Sequence, residues 1–506
     1  MATTSTTSPE QAASRLRGSI RGAVLVDGDQ MYGEARRLWN GEVVKRPAVI
    51  ARCEDESDVA AAVAVAREHD LPLSVRGGGH DWAGRALTNG GLVIDLTSMR
   101  AVTIDPGAGI ATTQGGATAG DVVAPAGQFG LAPVTGTVKA VGMAGLTLGG
   151  GYGPLCGKHG LGADNLLSAR VVLADGRIVT ADDAHDPDLL WALRGGGGSF
   201  GVVTSARYRL HPLASVTAGL LLFGLEQAKT VLRGYRELTA EAPDELTVMT
   251  GFLSGPDGNP LLFLFPAWSG ELARGEREIA RFEQLGTPLT TQVAPMTYGD
   301  ALGAFDAQVV NGRHHTIRTR WLAELSDDAA SILIDAARSV SSPFSAVALH
   351  HFHGAAARVA PEATAFAVRR EHLLVEIIAA WEQAERGESA RHVSWADVVC
   401  DELAPAALPG GYPNLLGPDD RDRLALAYGA NADRLRELKR RYDPTDVFAS
   451  AICALRRLVT GSSRGPAVAA RWGSLCAGAP DALPSGGWPG RRVVCDLGRA
   501  RWFDGP

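Results

Sequence analysis

The sequence predicts an α+β fold, and three observations carry that expectation. In the first two hundred residues short apolar strands and helical repeats alternate irregularly, without the β-α-β period of a doubly wound sheet. Glycine clusters separate those strands. After residue 210 the texture changes to longer strands and amphipathic helices, as in an antiparallel sheet backed by helices. A chain of 506 residues exceeds what one hydrophobic core accommodates, so two to three domains are expected.

The elements follow in chain order. Residues 1–45 are a polar leader and then an amphipathic segment around "QMYGEARRLWN". "PAVIARC" reads as a strand, and "ESDVAAAVAVAREHD" as a helix with Ser57 as its N-cap. "LPLSVRGGGH" is a strand running into glycines. "GGLVIDLTSM", "AVTID" and "GIATTQGG" read as further strands, and "TAGDVVAPAGQFG" as a helix beginning at an N-cap threonine. "DPDLLWALRGGGGSFGVVTSARYRL" gives helix, glycine loop and strand. Beyond it, "ELARGEREIARFEQLG" and "DDAASILIDAARSV" have helical spacing. "ELTVMTGFL", "NPLLFLFPAW", "SAVALHHFHG" and "HLLVEIIAAW" have strand character. "GYPNLLG" is a strand or loop, and "RLRELKRRYDPTDVFASAI" a helix ended by Asp443-Pro444. The tail from Ala454 holds eight arginines, three tryptophans and no lysine or glutamate. It shows no amphipathic period, and reads as an accessory extension or the product of a shifted reading frame.

Composition excludes several function classes. The net charge of −7 offers no basic field for nucleic acid or an anionic membrane. The N-terminus lacks the apolar core of a signal peptide, and no apolar run is long enough to span a bilayer. The six cysteines stand far apart with no C-x-x-C pair, which argues against a disulfide scaffold or zinc ribbon and for a reducing cytoplasm. The 61 glycines are well above the usual ~7% level, and suggest backbone packed close to a large ligand. Seven of them fall between Gly136 and Gly153, interleaved with apolar residues, where amide N–H groups could face a pyrophosphate or a flavin ring. His80, directly after three glycines, is open to several readings from the residues alone: base, metal ligand, phosphate-loop neighbour or buried side chain. His350, His351 and His353 lie on one strand, with His351 and His353 sharing a face. No carboxylate or cysteine stands at ligand spacing, so no metal is expected. Cavity lining and a plain surface strand both stay open for them, and "RHHTIR" at 313–318 need not lie nearby.

Seven segments together, "SVRGGGHDWAG", "VTGTVKAVGMAGLTLGGGYG", "HGLGADNLLSARVVLADG", "LLWALRGGGGSFGVV", "LLVEIIAAW", "YPN" and "YDPTDVF", resemble the berberine bridge enzyme-like FAD-linked oxidases of the vanillyl-alcohol oxidase superfamily. The resemblance covers about residues 40–453. It implies a PCMH-type FAD-binding domain over 40–210, rejoined by 411–453, and an α+β substrate-binding domain over 211–410. Residues 1–39 are then a leader, and 454–506 an atypical tail. It implies FAD joined through a ring nitrogen of His80 to the flavin 8α-methyl, a bond suited to neutral imidazole, which is nucleophilic near neutral pH. Arg76, Gly77, Gly78 and Gly79 would lie beneath the pyrophosphate. Gly116, Thr135, Gly136, Val141, Gly142, Gly145, Gly149, Gly150, Gly151, Tyr152, Asn165, Gly201, Val203 and Asn414 would complete the cofactor shell.

Many relatives carry a second, cysteinyl tether ahead of the glycine run, where this chain has Val138. Cys156 follows the run, so a single tether through His80 is expected and Cys156 is read as a packing residue. The resemblance makes Glu376 a general base and Tyr412 a catalytic phenol, and places Trp82 against substrate. His351 and His353 are candidates for the substrate cavity. If Glu376 faces that cavity, desolvation would raise its pKa. Leu415 stands where some alkaloid-oxidising members have histidine. Val141 matches a gatekeeper position for dioxygen, where valine accompanies oxidase behaviour. The implied reaction is hydride transfer from a small, secondary-metabolite substrate to flavin N5, with dioxygen reduced to H2O2. The alternative is a flavin-dependent oxygenase acting on a polyketide-like intermediate.

Overall fold

A computed structural model describes residues 9–382 and 387–449, so the 454–506 tail lies outside the described residues, as do residues 1–8 of the leader. Three sheets organise the chain. A four-stranded sheet holds Val24–Leu25, Val49–Arg52, Leu92–Asp95 and Leu73–Arg76 in that order. Its last three strands run parallel, with helix Glu56–Glu68 against them. A six-stranded antiparallel sheet is built around the long strand Val202–Pro212, which pairs with Ile110–Gln114 on one side and Leu166–Val172 on the other. The third sheet has seven strands, in the order Thr290–Met296, Val216–Gly224, Pro260–Trp268, Leu246–Ser254, Ala346–Phe352, His372–Trp381 and His314–Leu322. All its pairings are antiparallel.

Apart from the edge strand Thr290–Met296, which is half-buried to exposed, the seven-stranded sheet is largely buried on both faces, which explains its nearly continuous apolar strands. One face packs on helices Ala228–Thr239, Leu272–Glu283, Asp327–Arg338 and Ser389–Glu402, with Leu264, Leu349, Val375 and Ile377 in that core. The other face turns Met249, Phe263, Ala348 and Glu376 toward a cavity. The α+β expectation therefore holds, including the antiparallel sheet backed by helices. Several details differ from the sequence reading. Asp55, not Ser57, caps the first long helix, because its carboxylate accepts from the N–H groups of Ser57 and Asp58. The leader segment around Tyr32 forms one helical turn, Tyr32–Ala35. Strands Val216–Gly224, Thr290–Met296 and His314–Leu322 carry too little period-two contrast to stand out. "RHHTIR" thus enters the same sheet as "ALHHFHG", beyond the Glu376 strand.

Candidate active site

The cavity, of about 460 Å³, lies between the glycine loops and the seven-stranded sheet. That volume falls in the range of small-molecule and cofactor sites. Its floor comes from two loops that touch through their backbones. A Cβ on Gly78 would sit 2.5 Å from the Gly142 nitrogen, and one on Gly142 would sit 2.6 Å from the Gly78 nitrogen. Only two glycines permit this approach. Among the described residues no acceptor of the fold takes the N–H groups of Gly78, Gly79 or His80, which leaves three donors at the cavity edge. These unclaimed donors and the Cβ-free floor fit an anionic, flat cofactor such as FAD.

Gly77, Gly78, Gly79, His80, Gly136, Val141, Gly142, Gly145, Tyr152, Gly201, Val203 and Asn414 line the cavity, together with Trp82, Glu376 and Tyr412. The other expected cofactor residues stand outside the lining and act one layer back. Arg76 donates to the Ala35 carbonyl. Gly116 faces the Leu96 backbone, and Thr135 is buried beside Gly153. Gly149, Gly150 and Gly151 make room for Asn414, Phe366 and the Gly162 backbone. Asn165 pins a loop, donating to the His159 and Leu161 carbonyls while its Oδ1 meets His211 Nε2 at 2.7 Å. Such glycines and amides serve the loop's shape, a role that a motif alone does not separate from cofactor contact.

His80 stacks on Trp39, with ring centroids 4.4 Å apart, and Trp39 stacks in turn on His315 at 4.0 Å. Burial pushes the His80 pKa down to about 4, so its imidazole is neutral and keeps a lone pair at physiological pH. Neither Trp39 nor His315 was evident from sequence, since the stack joins residues far apart in the chain. Trp82 donates from Nε1 to the Leu415 carbonyl at 3.0 Å. Arg85 pairs with Asp81 and also donates to the carbonyls of Leu416 and Asn414, so the His80 loop is braced on the 412–416 segment.

Tyr412 sits at the centre of a polar cluster. Its phenol oxygen accepts from the Gly151 N–H at 3.0 Å and from Asn414 Nδ2 at 3.0 Å. Burial raises its pKa strongly, while those two donors pull the other way. Tyr152 packs its ring against Tyr412 with centroids 4.8 Å apart, and its hydroxyl meets His372 Nε2 at 2.8 Å. His372 Nδ1 lies 2.6 Å from the Arg370 carbonyl, so Nδ1 carries the proton and Nε2 accepts from Tyr152.

Glu376 lies on the cavity face of its strand, opposite Ala348 on one neighbour and Thr319 on the other. Its Oε2 is 3.5 Å from His350 Nε2, an ion-pair distance with no formed hydrogen bond. The histidine prediction needs correction here. His350 lines the cavity, whereas His351 and His353 do not. Their rings stack at 3.9 Å, His353 Nε2 is 3.3 Å from Thr247 Oγ1, and His351 borders only a small separate hollow. Period-two spacing paired two residues correctly but could not say which face met the cavity. Among the described residues no cluster of metal-ligating side chains occurs.

Cys156 is buried at the start of a four-residue helical turn, with its sulfur 3.0 Å from the Gly153 nitrogen. Burial pushes its thiol up to about 12. Val138, not Cys156, lines the cavity.

Comparison with known proteins matches this geometry. Residues 47–182 match the model described as FAD binding domain, and residues 411–451 match "Berberine and berberine like". An uncharacterised FAD-linked oxidoreductase of Bacillus subtilis, YgaK, is 30% identical over 447 residues, covering 87% of this chain and 98% of the relative. The FAD-linked oxidoreductase pgmH of Aspergillus terreus is 30% identical over 472 residues, covering 87% and 95%. Among solved structures, 6-hydroxy-D-nicotine oxidase from Arthrobacter nicotinovorans superposes with a TM-score of 0.77 at 30% identity, covering 85% of this chain and 97% of that one. Berberine bridge enzyme from Eschscholzia californica shares the fold at 21% identity and a TM-score of 0.77, covering 86% and 97%. With the glycine floor, the unclaimed amides and these matches together, the chain belongs to the berberine bridge enzyme-like FAD-linked oxidoreductases.

Proposed function

We propose that the protein is an oxidase with one covalent tether to FAD, at His80, acting on a small alcohol, amine or phenol of secondary metabolism and reducing dioxygen to H2O2. The bound flavin would supply a two-electron acceptor whose N5 takes a hydride. The observation that carries the reading is that His80 and Glu376 line the same cavity, one on the glycine loop and the other on the facing sheet. Asp81 and Glu376 are the acids of the described lining, and Arg85 neutralises Asp81. Glu376 is therefore the carboxylate available to take an O–H or N–H proton from substrate at one oxygen. Tyr412, with its oxygen held by two N–H donors, keeps its own hydrogen free to orient a substrate heteroatom. Met249, Phe263, Phe305 and Phe344 supply apolar wall that excludes water. Small, apolar Val141 at the lining supports access for dioxygen.

The same reading assigns FAD to residues 40–210 with 411–453, and substrate to 211–410. A cytoplasmic setting is in keeping with Cys53, Cys156 and Cys400, all free and buried. The test is an absorbance spectrum and intact mass of the acid-denatured protein. The expected result is a mass increment of one FAD that vanishes in His80→Ala and persists in Cys156→Ala. Yellow colour that stays with acid-precipitated His80→Ala would overturn the tether.

A further inference from the structure

We propose that His350 is a positioning residue for Glu376, donating from Nε2 to Oε2 and thereby turning the other carboxylate oxygen toward substrate. The inference rests on the reading of Glu376 as the base. In the antiparallel pair Ala348 stands opposite Glu376 and His350 opposite Leu374, so His350 reaches Glu376 along the diagonal. Diagonal neighbours on one sheet face are within range of long side chains, and the Ala348 methyl leaves that path open. The 3.5 Å separation needs only a small movement to become a charge-assisted hydrogen bond. Neither atom has a competing partner nearby. His350 Nε2 is buried without a hydrogen bond, and its side chain is 11% exposed.

The remaining titratable groups around His350 are already engaged or turned elsewhere. Tyr152 is held by His372, Tyr412 by Gly151 and Asn414, and Asp81 by Arg85. His351 stacks on His353, and His80 and His315 sandwich Trp39. Tyr412 also feels the Glu376 charge, but its oxygen is held by Gly151 and Asn414, so His350 is the protonatable group at ion-pair distance from Glu376 among the described residues. In the reaction the substrate X–H bond breaks and an O–H bond forms on the free carboxylate oxygen. The Nε2–H bond of His350 stays intact throughout, and no electrons pass through the imidazole.

The test is ¹⁵N NMR of histidine-labelled holoenzyme at neutral pH, with the His350 signal identified by its loss in His350→Asn. The expected result is a slowly exchanging N–H on His350 Nε2 in the wild type. Its exchange should quicken at least tenfold in Glu376→Leu, and by a smaller factor in Glu376→Gln, whose amide oxygen accepts more weakly. Glu376→Gln also preserves side-chain shape should the leucine variant fold poorly. Equal exchange in all three proteins, or an Nε2 that carries no proton, would overturn the proposal. Flavin content and acid-stable colour of the same samples test the underlying flavoenzyme reading separately, because neither depends on the His350 proton.

Discussion

At the scale of single residues, His80 and His350 both line the cavity, yet only the first carries a local motif, and among the three neighbouring histidines the sequence favoured His351 and His353 for the cavity. A histidine after three glycines stands out locally, whereas the importance of His350 depends on which strand lies beside it and which face meets the cavity. Gly78 shows why the motif is so glycine-rich. A methyl at Gly78 would meet the Gly142 nitrogen at 2.5 Å, and backbone cannot yield as a flexible side chain does. Gly78→Ala should therefore part the two loops, with a stability loss of about 1–3 kcal/mol in urea titration and a fall in bound flavin. Unchanged flavin content would show that the loop contact is dispensable. Tyr412→Phe acts differently, because it deletes an acceptor. The Gly151 N–H and one Asn414 N–H lose their partner, while Asn414 keeps the Leu146 carbonyl. We expect about 1–2 kcal/mol of destabilisation with the flavin still retained. Loss of colour together with stability would mean that Tyr412 holds the cofactor rather than the substrate.

At the scale of elements, helices with strong local signals matched expectation. Thr118 caps Ala119–Gly127 with a full capping box, and Ala432–Tyr442 ends before Asp443-Pro444. The strands that were missed lacked a signal for two reasons: Thr290–Met296 is an edge strand left largely exposed, and Val216–Gly224 and His314–Leu322 are buried without polar alternation. Tertiary braces were invisible for another reason: their partners lie hundreds of residues apart. Arg85 is the clearest case, binding Asp81 on its own loop and two carbonyls of the 414–416 segment. Its side chain is 18% exposed, so the interactions are only weakly screened. Arg85→Ala should cost about 2–3 kcal/mol and loosen Asn414 and Trp82 together. Limited proteolysis should then cut near residues 412–420 faster than in the wild type. Equal cutting rates would show that the loop is held by packing alone.

At the scale of the whole molecule, buried histidines govern the acid side of stability. Burial holds His159, His211, His353 and His372 down to about 4 and His315 to about 3, against 6.5 for the free side chain. Each folded-state value lies below the unfolded one, so the unfolded chain binds more protons throughout the interval between them. Stability must then rise with pH in that interval. The stabilising contribution is complete above pH 6.5 and is lost as the pH falls from there toward 4. Carboxylates act in a lower window. The Asp188 hydrogen bond from Arg434 and the Asp244 hydrogen bond from Arg358 hold those acids below 3.8, so their contribution disappears only in stronger acid. Acid unfolding should therefore begin well before the carboxylates titrate, with net uptake of as many as five protons on unfolding near pH 5 from the histidines named. His159 and His211 stack at 3.8 Å and are only partly buried, so water screens their share and they titrate as a coupled pair. Urea titrations at half-unit steps from pH 7 to 4.5 would measure the slope directly. A flat profile over that range would mean that these rings gain protons without unfolding, through local openings of the fold around them.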